Sequence, residues 1–284
     1  MDKVTQRDWD KVIRPRNGWF DIHPGEIWKY RDLIGLFVWR DFVAVYKQTI
    51  LGPLWYLIQP LLTTLVFTVI FGNVAQLSTD GLPPFLFYLS GVICWRYFAD
   101  CLNNTSNIFV GNAHLFGKVY FPRLTVPVSV VISSLIGFGI QFLLFLVFFF
   151  YFRINSAIIQ PQPAILLLPV LIMQMAALGL GLGIVVSSLT TRYRDLTHLV
   201  GFGVQLWMFA TPVVYPASSL PEKWRWVLAF NPMAPVIEAF RYAFLGTGSI
   251  NLQHWFISLA STILLLIAGV VLFSRVEKTF MDTV

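Results

Sequence analysis

The sequence predicts an all-α integral membrane protein with six transmembrane helices. Of its 284 residues, 57% are hydrophobic and only 12% are charged, which leaves too little polar surface for a water-soluble globule. Several apolar runs approach 20 residues, the length that an α-helix needs to cross a hydrocarbon core of about 30 Å. The net charge of +6 fits the basic cytoplasmic loops that orient membrane proteins, so we expect no nucleic-acid partner.

The first 53 residues precede the predicted membrane domain. Residues 1–23 carry many charged side chains and no long apolar run, so we expect a cytoplasmic segment and no signal peptide. In residues 24–53, apolar side chains such as Leu33 and Phe37 fall on one helical arc, which predicts a helix along the inner membrane surface. Gly52 and Pro53 then interrupt the helix, and we expect a hinge there at which the chain turns into the first span.

The membrane domain is predicted to cover residues 54–274. Its six spans are expected at about 54–74, 85–108, 126–152, 165–188, 199–215 and 252–274. If residues 1–53, the loops near 110–125 and 189–196 and the tail 275–284 lie inside, most of the 20 Lys and Arg residues are cytoplasmic. Both termini are therefore predicted to be cytoplasmic. The outer segment 216–249 mixes prolines with apolar stretches too short to span, which predicts re-entrant helices before the last span.

The sequence predicts no catalytic, cofactor or metal site. Cys94 and Cys101 lie seven residues apart on one predicted helix, about 10 Å along its axis, which is too far for a disulfide. They are predicted to be packing residues. The four histidines are scattered, without the spacing of metal ligands. The chain has no phosphate-binding loop of the Walker type and no nucleophile elbow, so we expect neither ATP hydrolysis nor bond-breaking chemistry.

Ionisable and aromatic residues in the second span are the candidates for a substrate path. Arg96 and Asp100 are four residues apart, so they form either a charged patch on the path or a mutually neutralised pair. Aromatic rings beside polar groups suit a sugar pathway, and the residues predicted to line it are Tyr88, Trp95, Arg96 and Phe98. A second series of phenylalanines in the third span fits a lipid-facing or packing surface better than a binding track.

Several motifs follow one another in a characteristic order along the chain. They are RDFVAVYKQTILGPLW, GNAHLFGKVYFPRLTVPV, TRYRDL, TPVVYP, NPM, VIEAFRYAFLG and RVEKTFMD. Their order resembles the membrane subunit of polysaccharide ABC exporters of the type-2 exporter fold, which export O-antigen, capsule and teichoic-acid-like polymers. The segment VIRPRNGWFDI also resembles the O-antigen branch, and the resemblance runs from about Val12 to the end of the chain.

The resemblance implies a homodimer in the bacterial inner membrane, joined by two copies of a separate nucleotide-binding subunit that binds ATP and Mg²⁺. Residues 24–37 would be the interfacial helix and 112–121 the coupling helix that contacts the ATPase. The residues expected to couple to the ATPase are Arg40, Asp41, Lys47, Asn112, His114 and Lys118. The predicted function is ATP-driven export of lipid-linked polysaccharide through a channel between protomers.

Three alternatives remain open from the sequence. A type-2 ABC exporter of a drug, lipid or other small molecule would share the fold and differ in its cargo. A membrane-bound glycosyltransferase or acyltransferase should show a histidine or an acid pair at the interface, and none is evident. A secondary transporter would work without an ATPase and usually carries more carboxylates at mid-membrane.

Overall fold

The computed structural model describes residues 24–47, 51–112, 121–155, 159–190, 193 and 195–283. Every regular element in these residues is a helix, which confirms the all-α class. The α-helices in chain order are α1 (Pro24–Lys29), α2 (Arg31–Lys47), α3 (Trp55–Phe67), α4 (Pro84–Ser106), α5 (Ile108–Gly111), α6 (Thr125–Asn155), α7 (Leu168–Thr190), α8 (Leu196–Phe209), α9 (Arg225–Phe230), α10 (Ala234–Leu245) and α11 (Leu252–Thr283).

Shorter turns extend or connect these helices. The 3₁₀ turn Gly52–Leu54 leads into α3, and Pro163–Leu167 leads into α7. Helix α3 continues as a π-helical segment, Thr68–Val74, in which the amide of Ala75 donates to the carbonyl of Ile70, five residues back, at 2.8 Å. The membrane stretch that begins at Gly52 therefore combines three helical geometries.

Within the described residues, five helical stretches are long and apolar enough to cross a membrane, which makes this a multi-pass membrane protein. They are Gly52–Val74, Pro84–Ser106, Thr125–Asn155, Pro163–Thr190 and Leu252–Val276, which match the first four predicted spans and the last.

The predicted fifth span, 199–215, is instead the 14-residue helix α8 and a following turn. At about 1.5 Å per residue this helix reaches only about 21 Å, short of the hydrocarbon core of about 30 Å. Pro212 explains the early end, because it has no N–H to continue the helix and disfavours helical geometry at the preceding residue. The six-span count is therefore not confirmed.

Helix α4 is the centre of the bundle. In its most apolar stretch 83% of the residues are buried, compared with 17% in the stretch that contains α3. It contacts α3, α6, α7, α8 and α10. It is also the least hydrophobic of the five stretches, with a mean hydropathy of 1.3. Both properties have one cause: protein, and not lipid, surrounds α4, so its side chains need not be uniformly apolar.

Aromatic rings fill much of the core beside α4. Within α6, the ring of Phe142 stacks on those of Phe138 and Phe145, with centroids 5.8 and 6.1 Å away. It also meets Phe240 and Phe244 of α10 edge-on. The phenylalanine series of the third span is thus a packing surface. Cys94 and Cys101 are free and buried, which confirms their prediction as packing residues.

Glycines in α7 let three helices approach closely. A Cβ placed on Gly183 would lie 2.5 Å from the Cβ of Thr105 in α4, and Gly179 meets the same helix one turn earlier. Gly181 faces the other way, where a Cβ would lie 2.8 Å from the backbone nitrogen of Leu266 in α11. Close backbone approach of this kind supplies the van der Waals contact that holds membrane helices together when lipid and side chains are equally apolar.

The chain between α8 and α11 is held to the bundle by Arg241. Its guanidinium is buried and donates to the carbonyl oxygens of Pro212 at 2.5 Å and Val213 at 2.7 Å, and to Ser90 Oγ at 3.3 Å. It also lies 3.7 Å over the ring of Phe87. One side chain therefore joins α10, α4 and the turn after α8. This region contains the short helices Ala217–Ser219, Glu222–Trp224, α9 and α10, and their entry into the bilayer stays a prediction.

Candidate functional site

On the face predicted to be cytoplasmic, α2 packs on a small apolar cluster, which we call the inner cluster. The rings of Phe37 in α2 and Phe121 have centroids 5.8 Å apart, and Leu33 packs on the same cluster. Phe121 directly follows residues 113–120, the centre of the predicted coupling loop. The end of that loop and α2 are therefore in direct contact. The buried members are Ile108, Phe109, Phe121, Val126, Ile184 and Phe273.

Four of the six predicted coupling residues lie in the described part of the chain. Arg40 and Asp41 form an ion pair with each other at 2.8 Å, and Lys47 is exposed at the end of α2. The side-chain amide of Asn112 donates to the carbonyl of Ile108 at 3.1 Å, which fixes the end of α5. His114 and Lys118 lie outside the described residues. The role of this set in coupling stays a prediction.

The predicted hinge has a backbone conformation that suits glycine. Gly52 is buried and has φ of +48°, in the left-handed region that costs residues with a Cβ about 1–2 kcal/mol. Pro53 is the next residue, and helical geometry begins there and continues through α3. Gly52 thus adopts a turn conformation, whereas the hinge at Gly52 and Pro53 stays a prediction.

We expect Gly52→Leu to reduce severalfold the export that the sequence predicts, while the amount of inserted protein changes little. Leucine would have to adopt the left-handed conformation or shift the entry into α3. Gly52→Asn is the matched control, because asparagine tolerates this conformation better than other residues with a Cβ. The measurement is glycan export by vesicles, normalised to permease in the membrane fraction by immunoblot. Equal export by the leucine and asparagine variants would contradict the role of Gly52.

A polar cavity of about 310 Å³ lies between residues of α2, α3, α4 and α6. At its edge, Arg96 and Asp100 form the predicted pair at 3.6 Å, and Arg96 also donates to the side-chain oxygen of Gln59. The hydroxyl of Ser133 is buried and has no hydrogen-bond partner within the described part of the chain. The cavity brings Asp41, a predicted coupling residue, to the same site as Asp100. The polar side chains that line it are Asp41, Tyr56, Asp100, Asn104, Ser133 and Ser134.

Three of the four residues predicted to line a glycan path are inside the protein. Tyr88, Trp95 and Phe98 are at most 5% exposed. The rings of Trp95 and Phe98 pack edge-on against Trp207 of α8, with centroids 5.9 and 5.3 Å away. Arg96 differs, because 30% of its side chain is exposed. The path assignment stays a prediction, and in this structure the three aromatic rings pack between α4 and its neighbours.

Two glutamines mark an open face that sequence reasoning missed. Gln59 in α3 and Gln205 in α8 are exposed, whereas Gln141 and Gln174 are buried in α6 and α7. Arg96 donates to the side-chain oxygen of Gln59, and such polar groups are costly to place against hydrocarbon, so the surfaces that carry Gln59 and Gln205 are suited to protein or water. We call them together the amide face. In the sequence, the amide face could have been found from the one glutamine that interrupts the apolar run of each helix.

Helices α3 and α8 are neighbours at their outer halves. The rings of Phe67 and Phe209 have centroids 6.5 Å apart. Apart from Val204, no residue of α8 is buried, and both helices present large apolar side chains to the outside. Both helices are therefore only weakly supported by contacts within a single chain.

Beyond the outer ends of α3 and α8 lies a second cavity of about 290 Å³, which we call the outer pocket. Its walls come from the loop after α3, the turn after α8, α10 and the start of α11. Ser218 Oγ donates to Asp80 Oδ1 at 2.8 Å, which closes one side. The charged or titratable side chains that line the pocket are Asp80, Glu238, Arg241 and His254.

Glu238 makes the stability of the outer pocket depend on pH. Burial raises the pKa of its carboxyl to about 7 from an ordinary value of 4.5, although Arg241 lowers it. Because the folded-state pKa is the higher one, the stabilisation is complete below about pH 4.5 and is lost as the pH rises through about 7. We expect the unfolding temperature of the purified protein to fall between about pH 5 and pH 8, and to fall less in Glu238→Gln. An unfolding temperature that falls equally with pH in the wild type and in Glu238→Gln would contradict this.

Comparison with known proteins gives two kinds of match. The profile of the ABC-2 type transporter family matches residues 32–245. An O-antigen export system permease protein, RfbA, of Klebsiella pneumoniae is 27% identical over 251 residues, covering 88% of this chain and 94% of that protein. RfbA of Myxococcus xanthus is 29% identical over 222 residues, covering 77% and 82%. The inner membrane transport permease YadH of Escherichia coli K12 is 23% identical over 226 residues, covering 76% and 82%.

Proposed function

Because this chain belongs to the ABC-2 type transporter family, we propose that it is the channel-forming subunit of an ATP-driven exporter of lipid-linked polysaccharide of the O-antigen class. The observation that carries the substrate proposal is the similarity to two permeases named for O-antigen export, at 27–29% identity over most of both chains. The proposed location is the bacterial inner membrane, with both termini in the cytoplasm.

We propose that two copies of the chain associate through α3 and α8 and that the polymer passes between them. The amide face supports this proposal, because Gln59 and Gln205 are exposed on these two helices. Arg96 adds a cation beside Gln59. Amide groups can exchange many weak hydrogen bonds with sugar hydroxyls, and weak contacts let a polymer move on.

Cross-linking tests this arrangement. The native cysteines are buried, so Leu206→Cys on the exposed face of α8 should give a disulfide-linked dimer in oxidised membranes with little background. Leu143→Cys on α6 is the matched control, since that leucine is also exposed but lies on a different helix. A dimer from the α6 variant and none from several α8 positions would contradict the proposed interface.

We propose that a separate ATPase subunit, present in two copies, binds ATP and Mg²⁺ and contacts the face formed by α2 and the coupling loop. The contact between Phe37 and Phe121 supports this, because a displacement of the coupling loop by the ATPase would be transmitted directly to α2. The polar cavity beneath α2 leaves room for that helix to move against α3 and α4. ATP binding would favour an open state to the extent that the two states differ in these contacts.

Copurification is the experiment that tests the proposed function. Affinity purification of the tagged chain from native membranes should recover a nucleotide-binding subunit in equal amount. Vesicles that contain the complex should then take up fluorescent lipid-linked glycan when ATP is supplied outside. Failure to recover an ATPase would contradict the exporter assignment, and uptake that is independent of ATP would contradict the coupling.

A second candidate is export of a lipid, drug or other small molecule by the same kind of complex. The match to YadH, at 23% identity, favours it to a limited degree, because the name of that permease specifies no polysaccharide. The two functions differ in the vesicle assay: a small-molecule exporter would transport fluorescent phospholipid or dye and leave the glycan outside.

A further inference from the structure

A third cavity, which we call the lateral groove, lies between the turn before α7, helix α10 and the start of α11. Its volume is about 430 Å³, within the range of about 300–1,000 Å³ that is usual for small-molecule sites. Among the described residues that line it, none belongs to α3 or α8, and only Ser249 also lines the outer pocket. The groove is therefore a separate site, away from the two helices of the proposed path.

Hydrogen bonds hold the walls of the lateral groove in place. Trp255 of α11 forms one wall, and its indole nitrogen donates to Gln174 Oε1 of α7 at 3.0 Å. Gln174 is only 3% exposed and donates in turn to Ser258 Oγ of α11 at 2.7 Å. On the other side, the amide of Gln162 donates to the carbonyl of Ala243 in α10 at 2.9 Å. These bonds join α7 to α11 and the turn before α7 to α10, so the groove is preformed.

The mouth of the groove is continuous with the lipid-facing surface of two membrane-spanning stretches. Leu167 lies in the turn that begins one stretch, and Leu252 is the first residue of the other. Beside them, the side chains of Leu166 and Phe256 are 84% and 60% exposed, and apolar side chains on a membrane-spanning helix are suited to hydrocarbon. A lipid can therefore reach the groove without leaving the bilayer.

The lining changes from apolar to hydroxyl-bearing across the end of the spans. Leu167, Leu252 and Trp255 belong to the spanning stretches, whereas Tyr242 and Ser249 lie outside them. Tyrosine and tryptophan are enriched in membrane proteins at the depth where hydrocarbon meets the headgroups. A phospholipid has the same order of groups, since its acyl chains lead to ester and glycerol oxygens.

Other occupants fit this lining less well. The described lining contains no charged side chain and only two side-chain hydroxyls, those of Tyr242 and Ser249. A sugar unit would bring several hydroxyls into the groove, and each one left without a partner is unfavourable. A charged peptide would find no side chain of opposite charge.

We propose that the lateral groove binds a phospholipid of the surrounding membrane, with an acyl chain on the apolar lining and the ester region beside Tyr242 and Ser249. A bilayer is as apolar as the groove, so the hydrophobic effect does not drive the chain into it. The gain comes from van der Waals contact, because an unfilled groove would leave its preformed walls without neighbours. This lipid site goes beyond the proposed function, since it does not depend on which substrate is exported.

Photolabelling of the purified full-length chain in detergent tests the proposal. The probe is phosphatidylethanolamine with a diazirine and an alkyne on one acyl chain, added at a low ratio to protein, and labelled peptides are identified by mass spectrometry. We expect label in peptides that contain residues 239–242 and 249–255. Leu167→Trp fills the groove and should lower this label at least about threefold. Leu166→Trp is the matched control, because Leu166 is the adjacent residue and does not line the groove.

A second variant keeps the test valid if Leu167→Trp does not fold, as judged by size exclusion and unfolding temperature. Leu252 is 60% exposed at the mouth, so Leu252→Asp should fold, and its carboxylate should exclude an acyl chain. Leu166→Asp is its control. Label that is unchanged in a folded groove variant, or that falls equally in its control, would overturn the proposal.

Competition and oligomeric state distinguish the other occupants. Unlabelled phosphatidylethanolamine should displace the probe, whereas cellotetraose should not. Displacement by cellotetraose would make the occupant a glycan, and stronger displacement by decaprenol than by phosphatidylethanolamine would make it an isoprenoid carrier. Loss of the dimer in Leu167→Trp with unchanged label would make it a second copy of the chain. Each of these three results would overturn the phospholipid assignment.

Discussion

Replacing Gly183 by leucine is expected to prevent recovery of a folded permease. A Cβ at this position would lie 2.5 Å from the Cβ of Thr105 and 2.9 Å from the carbonyl oxygen of Leu102. Both atoms are fixed by the α4 helix, so rotation of a side chain cannot relieve the overlap. Overpacking a core costs about 1–3 kcal/mol where neighbours can adjust, and we expect a loss above that range here. The measurement is the fraction of detergent-extracted protein that elutes as a single species on size exclusion.

Gly139→Leu in α6 is the matched control, because no heavy atom beyond the adjoining residues and backbone of its own helix lies within 4 Å of a Cβ built there. It adds the same side chain to another membrane helix. We expect its elution profile and unfolding temperature to stay near those of the wild type. If Gly183→Leu behaved like this control, the close approach of α4 and α7 would not be needed for assembly.

Arg241→Leu should also have a large effect, although it acts through unsatisfied polar groups. It leaves the buried carbonyls of Pro212 and Val213 without their donor, at about 1–3 kcal/mol for each unsatisfied group. Arg241→Lys should recover only part of the loss, since an ammonium cannot reproduce the planar fork or its stacking on Phe87. We expect a lower unfolding temperature and faster proteolysis between α8 and α11.

Arg153→Leu provides the comparison for Arg241, because Arg153 is an exposed arginine in the last turn of α6. Surface substitutions of this kind usually change stability by less than about 0.5 kcal/mol. An Arg241→Leu protein as stable and as resistant to protease as Arg153→Leu would show that the buried guanidinium does not hold the outer segment.

The sequence was sufficient to predict the helices that cross the membrane, because length and hydropathy determine them locally. The first four spans and the last agree with the structure within a few residues. The difference at α8 also has a local cause, since Pro212 lies within the predicted 199–215 span and the helix ends before it. The Arg96–Asp100 pair followed from helical spacing alone. These features depend on neighbours along the chain.

The candidate sites depended on contacts that spacing does not encode. An aromatic series on α4 has the same period whether it lines a path or packs on Trp207, so the burial of Trp95 and Phe98 required the tertiary structure. Arg241 near the outer surface is expected to be solvated; its carbonyl partners come from a turn about 28 residues away in sequence. Likewise, four glutamines in apolar helices look alike until the fold shows that Gln59 and Gln205 face outward.

A change from π-helical to α-helical geometry in the segment after α3 would change the register of this helix. The hydrogen bonds of the segment span five residues where an α-helix spans four. Rewinding it to α-helical geometry would pass one residue through the segment, which turns everything beyond it by about 100° and shifts it by about 1.5 Å along the axis. The turns that end at Phe67 would keep their packing. Asp80 could thus be reoriented at the outer surface by a screw motion confined to Thr68–Val74.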